Sequence, residues 1–200
     1  MQLTRVLYLE AAIDPAAAGL TPDEVRSVEW GEPLWAEDGQ VRLASCVWVV
    51  SNGDRRVVID PSGNLDDILH DRATTAHHQQ AYRAAFAAAG IPVESVDTVL
   101  LSHIESVGLT AVRTEDGTGW QMFFPNARVR ISDAAQRDFD EHRPVGELGV
   151  AFAALMDAGL VDTYSDGDEV VSGLRVEWTG MHNPGPVSYT HLTLPTNREV

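Results

Sequence analysis

Hydrophobic residues along the chain fall into short runs, several of which have the composition of strands. Val41–Val50 and Arg56–Asp60 are β-branched runs on either side of Asn52-Gly53, and this combination predicts an antiparallel hairpin. Val96–Leu101 is a continuous apolar run of the kind found in strands buried on both faces. Arg5–Leu9 alternates weakly and predicts an opening strand.

Helical patterns separate these strands. Thr21 is followed by proline and, three residues later, by Glu24, which is typical of a capped helix start. Thr74–Ala89 is rich in alanine and ends before a glycine. Asp133–His142 and Val150–Ala158 predict two further helices.

The second half of the chain returns to strands. Ala127–Ile131, Val161–Tyr164 and Val170–Trp178 are predicted strands, and the last two are separated by a turn at Asp166-Gly167. Strands and helices interleave although hairpins are present, so an α/β fold with a mixed sheet is expected. The sequence contains neither an internal repeat nor a linker that would divide two domains.

Composition and charge exclude several classes of function. The 200 residues, 44% of them hydrophobic, suit one domain, and the net charge of −16 disfavours nucleic acid and anionic membranes as partners. All fourteen basic residues are arginine, which excludes Schiff-base and P-loop chemistry. The single Cys46 excludes an internal disulfide and Cys-rich metal modules. Met1–Leu20 lacks the pattern of a signal peptide, so a cytoplasmic location is expected.

Four segments in this order resemble the metallo-β-lactamase superfamily, in particular its lactonase-like branch. They are VWVVSNGDRRVVIDPSG, FAAAGIPVESVDTVLLSH, GWQMFFPNARVRISDAAQRDF and TGMHNPGPV, and the resemblance runs from about Val41 to Pro186. It implies an αββα metallo-β-lactamase-like sandwich, incomplete at its C-terminus, and a metal-dependent hydrolase.

The resemblance is weakest at the first metal motif, H-x-H-x-D-H, which is two residues shorter in this chain. When the trailing Val-Gly is aligned, His103 falls on the second histidine, Glu105 on the aspartate and Ser106 on the last histidine. His182 matches the ligand histidine of the later motif. The resemblance further implies that Asp60 supports the site without binding the metal, and an ordinary turn residue is the alternative for this position.

The residues that remain in the motif are of types that bind metals. His103 and Glu105 are two apart in a segment expected to be extended, so their side chains would leave the same face at the end of a buried strand. With His182 they provide two imidazoles and one carboxylate, enough for one divalent metal with open positions, either zinc or non-haem iron. Zinc would lower the pKa of a bound water and polarise the carbonyl of a small ester or lactone.

Two other functions remain open. A pseudoenzyme would keep the fold as a module that binds a ligand or partner, and a redox relative would use a single iron. Bound metal would distinguish the enzymes from the pseudoenzyme, and oxygen consumption would distinguish iron chemistry from hydrolysis. The shortened motif predicts at most one tightly bound metal.

The last fourteen residues, 187–200, do not continue the superfamily pattern. Their first ten, VSYTHLTLPT, are identical to one translated reading frame of a transposon-end adapter used in sequencing libraries. Residues 1–186 are therefore expected to be a partial domain and residues 187–200 a non-native tail. A divergent native C-terminus is the alternative.

Overall fold

A mixed sheet organises the part of the chain that the computed structural model describes, which is residues 1–28, 36–37, 39–61, 72–142, 146–178 and 187–188. The strands are β1 (Gln2–Ile13), β2 (Ala36–Glu37), β3 (Gln40–Asn52), β4 (Arg55–Ile59), β5 (Thr98–Leu100), β6 (Ala111–Arg113), β7 (Trp120–Met122), β8 (Arg128–Ser132), β9 (Val161–Tyr164), β10 (Glu169–Val171), β11 (Leu174–Arg175), β12 (Glu177–Trp178) and β13 (Val187–Ser188). The helices are α1 (Pro22–Arg26), α2 (Arg72–Ala88), α3 (Asp133–His142) and α4 (Glu147–Asp157), with 3-10 helices at Pro15–Ala18, Val93–Ser95 and Ile104–Thr110.

The main sheet has the order β1-β3-β4-β5-β8-β9, and β2 pairs with β3. β3 and β4 are antiparallel, whereas β4, β5, β8 and β9 are parallel to one another. One row across the parallel strands consists of Val58, Val99, Val129 and Val161, the first three of which are fully buried. Because these strands run in the same direction, their carboxyl ends meet at one edge of the sheet.

The core contains two buried clusters. The first is aromatic: Tyr82 of α2 lies 5.1 Å from Phe123 and Phe86 of α2 lies 5.3 Å from Phe124, measured between ring centroids. A second cluster is aliphatic apart from Tyr164, and its members are Val50, Val57, Ile59, Leu100, Tyr164, Leu174 and Val176. The second cluster contains residues of β4, β5 and β9, and burial of a side chain of this size contributes about 1.5–3 kcal/mol to folding, so this cluster fixes three of the strands that carry the edge.

The chain divides into two compact units. One consists of Met1–Val6 and Val47–Val200, and the other of Leu7–Cys46. The smaller unit contains α1, which begins with the predicted capping box: the Glu24 backbone N–H donates to the Thr21 hydroxyl oxygen, and the Thr21 N–H donates to the Glu24 carboxylate.

Most predicted elements are confirmed, and two need correction. Asn52 pairs with Arg55, so the hairpin loop is Gly53-Asp54 and not Asn52-Gly53. Gly53 has φ 60, which is the positive φ that the first loop position of a two-residue hairpin requires. The predicted single strand Val170–Trp178 is wrong, because Gly173, with φ 84, reverses the chain between β10 and β11.

The predicted boundary after residue 186 stays a prediction. Val187–Ser188 pairs with β12, and residues 189–200 lie outside the described part of the chain. Among the described helices, none has both the length and the apolar character needed to cross a bilayer.

Candidate functional site

Asp60 directly follows β4, at the carboxyl edge of the parallel strands. Its backbone has φ 43, a left-handed conformation that is uncommon for residues other than glycine but is enriched in aspartate and asparagine. Its N–H donates to the carbonyl of Leu100 (3.0 Å), and its Oδ1 accepts a hydrogen bond from the backbone N–H of Ser102 (2.7 Å). The strained turn therefore places a carboxylate at the end of the neighbouring strand β5.

The peptide group that joins Leu101 to Ser102 is hydrogen-bonded on both sides. Its N–H donates to Asp60, and its carbonyl accepts from the hydroxyl of Tyr164 (2.8 Å), a side chain that is only 2% exposed. Burial, followed by the negative charge of Asp60, raises the pKa of Tyr164, so the phenol stays protonated as a donor. The chain thus leaves the sheet at this point without losing backbone hydrogen bonds.

His103 is the next residue, and its imidazole contacts two hydroxyl groups. Its Nδ1 lies 2.6 Å from Ser102 Oγ and 3.0 Å from Ser106 Oγ, and its Nε2 lies 3.4 Å from Ser106 Oγ. The backbone of His103 is extended, with φ −158 and ψ 167, and a 3-10 helix starts at Ile104. The ring of His103 is therefore contacted by the residue before it and by a residue of the 3-10 helix after it.

This geometry overturns one sequence-based argument. Glu105 lies inside the 3-10 helix Ile104–Thr110, so the backbone from His103 to Glu105 lacks the two-residue period of an extended strand. The reason given for expecting both side chains on one face is therefore wrong. The two residues remain adjacent to the carboxyl end of β5, where ligand sites of open α/β sheets are found.

The arrangement of strands and helices is similar to several solved structures, whereas comparison of the sequence alone finds neither a matching family model nor a similar curated protein. The hydrolase AbOPH of the β-lactamase superfamily is 20% identical, with a TM-score of 0.65 over 94% of this chain and 65% of that one. AidC, a dizinc quorum-quenching lactonase, is 16% identical, with a TM-score of 0.59 over 92% and 65%. An N-acyl homoserine lactone hydrolase is 13% identical, with a TM-score of 0.55 over 93% and 68%.

The chain has the metallo-β-lactamase fold. This confirms the fold class implied by the sequence resemblance. The chain spans 65% of the length of AbOPH and of AidC. Within its metallo-β-lactamase fold, Asp60, Ser102 and His103 lie together at the carboxyl edge of the parallel strands.

The predicted metal ligands are only partly described by the structure. His103 is placed as above, whereas the side chain of Glu105 and all of His182 lie outside the described part of the chain. Among the residues that are described, no three His, Cys, Asp or Glu side chains converge on one point. The ligand set His103, Glu105 and His182, and the supporting role of Asp60 beside a metal, therefore stay predictions.

Sequence reasoning missed Tyr164 and the hydroxyl of Ser102. Tyr164 was predicted only as the last residue of a strand, and 63 positions separate it from the carbonyl that it holds. A pattern of hydrophobic positions carries no information about such a distant partner. The only available signal for Ser102 was local, since it directly precedes the candidate ligand His103.

Proposed function

We propose that this chain is part of a metal-dependent hydrolase that cleaves a small ester or lactone. The observation that carries the proposal is the position of His103, an imidazole held by hydroxyl groups at the carboxyl edge of a metallo-β-lactamase fold. AbOPH is described as a hydrolase and AidC as a dizinc lactonase, and both support this reaction class.

The residues that would hold the metal are His103, Glu105 and His182. The imidazole of His103 fits the role, because metal-binding histidines use one ring nitrogen for the metal and the other for a hydrogen bond. Two imidazoles and one carboxylate suit zinc, with iron as the other candidate. When bound, a zinc ion would supply an activated water and a polarised substrate carbonyl.

The other residues of the edge orient His103. Asp60 and Tyr164 fix the peptide group of Leu101 and Ser102, so the backbone enters residue 103 in one conformation. Catalysis is sensitive to small errors in placement, and a displacement of about 1 Å can cost about 100-fold in rate. We therefore assign positioning roles, not catalytic ones, to Asp60 and Tyr164.

A pseudoenzyme is the second candidate function, and one observation favours it. Ser106 occupies the place that the superfamily resemblance gives to a ligand histidine, and its hydroxyl contacts His103 Nδ1 at 3.0 Å. A serine hydroxyl is a poor ligand for a transition metal compared with imidazole. In this function the same edge would bind a small molecule without cleaving it.

Elemental analysis of protein purified without chelator distinguishes these functions. We expect at most one equivalent of a transition metal, and we expect Glu105→Ala and His182→Ala to lose that metal together with lactone hydrolysis. Matched controls are Glu115→Ala and His142→Ala, which remove an exposed glutamate and an exposed histidine at other places in the chain. Both controls should keep metal and activity.

Two other outcomes are informative. Two equivalents of metal would show that the alignment of the first motif misses ligands. Absence of metal and activity from the unmodified protein would favour the pseudoenzyme.

A further inference from the structure

Asn52-Gly53 is a pair of residues that neither the candidate site nor the proposed function uses. Asn52 is the last residue of β3, and Gly53 is the first residue of the exposed two-residue loop before β4. The backbone of Gly53 has φ 60, and a Cβ atom placed on it would have no heavy atom of a more distant residue within 4 Å. The peptide nitrogen that follows Asn52 is therefore unhindered.

The side-chain amide of Asn52 makes a contact with a distant part of the chain. Its Nδ2–H donates to the backbone carbonyl of Ser172 (2.7 Å), which is 120 positions away in the turn between β10 and β11. The next residue of that turn is Gly173, whose N–H donates to the carboxylate of Glu169 (2.7 Å). The amide of Asn52 thus connects the tip of the β3–β4 hairpin to the tip of the β10–β11 hairpin.

An asparagine that precedes a glycine can react with the backbone that follows it. The glycine nitrogen attacks the side-chain carbonyl carbon of the asparagine, and the new C–N bond closes a five-membered succinimide. The bond between Cγ and Nδ2 breaks, and ammonia leaves with the proton of the attacking nitrogen. Water then opens the ring at either carbonyl, which gives aspartate or isoaspartate. Glycine favours the attack because it has no Cβ, and asparagine is among the thermolabile residues.

We propose that Asn52 is a modification site, at which asparagine is converted to aspartate or isoaspartate without an enzyme, and that its hydrogen bond to Ser172 limits the rate. Asn52 pairs with Arg55, so its backbone and its amide are both held in the closed hairpin. The succinimide then forms only in molecules whose hairpin tip has opened, and such local opening is least costly at exposed loop tips. The reaction needs only water and does not depend on the proposed metal.

Conversion would change the contacts of the hairpin tip. A carboxylate at position 52 has no N–H to donate, so it and the Ser172 carbonyl would face each other as two acceptors. The new charge would lie opposite Arg55, the cross-strand partner of Asn52, whose guanidinium pairs with Asp97 (3.3 Å). We therefore expect the two hairpin tips to separate while β3 and β4 stay paired.

Asn126 is the matched control within the same chain. Its Nδ2–H also donates to a backbone carbonyl, that of Glu94 (2.8 Å), and Asn126 is exposed, but Ala127 follows it. If exposure alone determined the reaction, Asn126 would convert at least as fast as Asn52. We expect Asn52 to convert and Asn126 to remain intact.

Peptide mapping of the full chain after prolonged incubation tests the site. The protein is kept at mildly alkaline pH, where the attacking nitrogen loses its proton more readily, and is then cleaved after arginine. This releases residues 43–55, in which Asn52 is the single asparagine. Mass spectrometry measures the loss of the amide, and an isoaspartate-specific methyltransferase detects the product. We expect the isolated peptide 43–55 to convert about 10-fold faster than the folded protein, because it has no closed tip to open.

Two substitutions separate the reaction from its consequence. Asn52→Gln should abolish the conversion, because glutamine would have to close a larger ring. Asn52→Asp should lower the hydrogen-exchange protection of the Gly173 N–H, which lies in the turn that Asn52 contacts, and should leave the protection of Val58 in the sheet unchanged.

The two parts of the proposal fail in different ways. An intact Asn52 in the folded protein after the isolated peptide has converted, or equal conversion of Asn126, would overturn the modification site. Equal rates in the folded protein and in the peptide would overturn the limiting role of the hydrogen bond to Ser172.

Discussion

The two sides of residue 102 are held in different ways. The peptide group before it is hydrogen-bonded by residues from distant parts of the chain, Asp60 after β4 and Tyr164 at the end of β9. The imidazole after it contacts hydroxyls of its own segment, from Ser102 and Ser106. The end of the strand is thus fixed by the tertiary fold, whereas the chemistry of the following residues depends on local sequence.

Asp60→Ala should have the largest effect, because Asp60 is one of the distant residues that hold the peptide group before residue 102. It removes the acceptor of the Ser102 N–H and puts alanine at φ 43, so we expect a loss of about 3 kcal/mol in the free energy of unfolding. Asp60→Asn keeps an acceptor oxygen and tolerates the left-handed backbone, so it should cost less than about 1 kcal/mol. Urea unfolding of both variants measures the two values.

An equal loss in both variants at position 60 would contradict the hydrogen-bond argument. The negative charge of the carboxylate, and not its geometry as an acceptor, would then be what the edge requires.

Tyr164→Phe should have a smaller effect on the same peptide group. It removes the hydroxyl that donates to the Leu101 carbonyl and leaves no large cavity, so we expect a loss of about 1.5 kcal/mol. The same urea titration checks this value. If the loss is below the error of that measurement, water replaces the phenol and the peptide group is held mainly by Asp60.

Tyr164 also gives this region a dependence on pH. Its pKa is raised above the ordinary value of 10.0, chiefly by burial and then by Asp60, so the folded protein keeps a proton that the unfolded chain releases. Its contribution to stability is fully present below pH 10 and is lost as the pH rises toward the raised pKa. Between pH 9 and pH 11, the free energy of unfolding should decrease less for Tyr164→Phe than for the unmodified protein. Urea unfolding at both pH values measures this difference.

Several elements with a local signal are predicted correctly from the sequence. The capping box at Thr21 and Glu24, the buried strand at Val96–Leu101 and the helix Asp133–His142 depend on neighbours within a few residues, and the structure has an element at each. The hairpin reversal at Gly173 was missed, because the apolar run around it is also compatible with one strand.

The candidate site was less predictable from sequence than the fold. The resemblance suggests His103 and Asp60 as site residues, which stays a prediction, whereas the extended backbone expected after His103 is wrong because the chain forms a 3-10 helix there. Tyr164 contacts its partner across 63 positions, which no periodic pattern encodes. Asp60 and Tyr164 are brought to the same peptide group by the order of the parallel strands, and that order becomes evident only in three dimensions.

The turn between β6 and β7 contains Asp116, an aspartate that can be compared with Asp60 and for which we expect the smallest effect on the site. Asp116 also accepts hydrogen bonds through Oδ1, from the Thr114 hydroxyl (2.6 Å) and the Thr118 N–H (3.0 Å), but it is exposed and its partners are local. These hydrogen bonds, led by that of Thr114, lower the pKa of Asp116 to about 2. The contribution of Asp116 to stability is therefore present above its ordinary pKa of 3.8 and is lost as the pH falls toward 2. We expect carboxyl-detected NMR to give this pKa. We expect Asp116→Ala to leave the NMR signals of the His103 imidazole and the affinity of the protein for Zn²⁺ unchanged. A change in the His103 signals would show that a local turn, and not only the strand ends, controls the site.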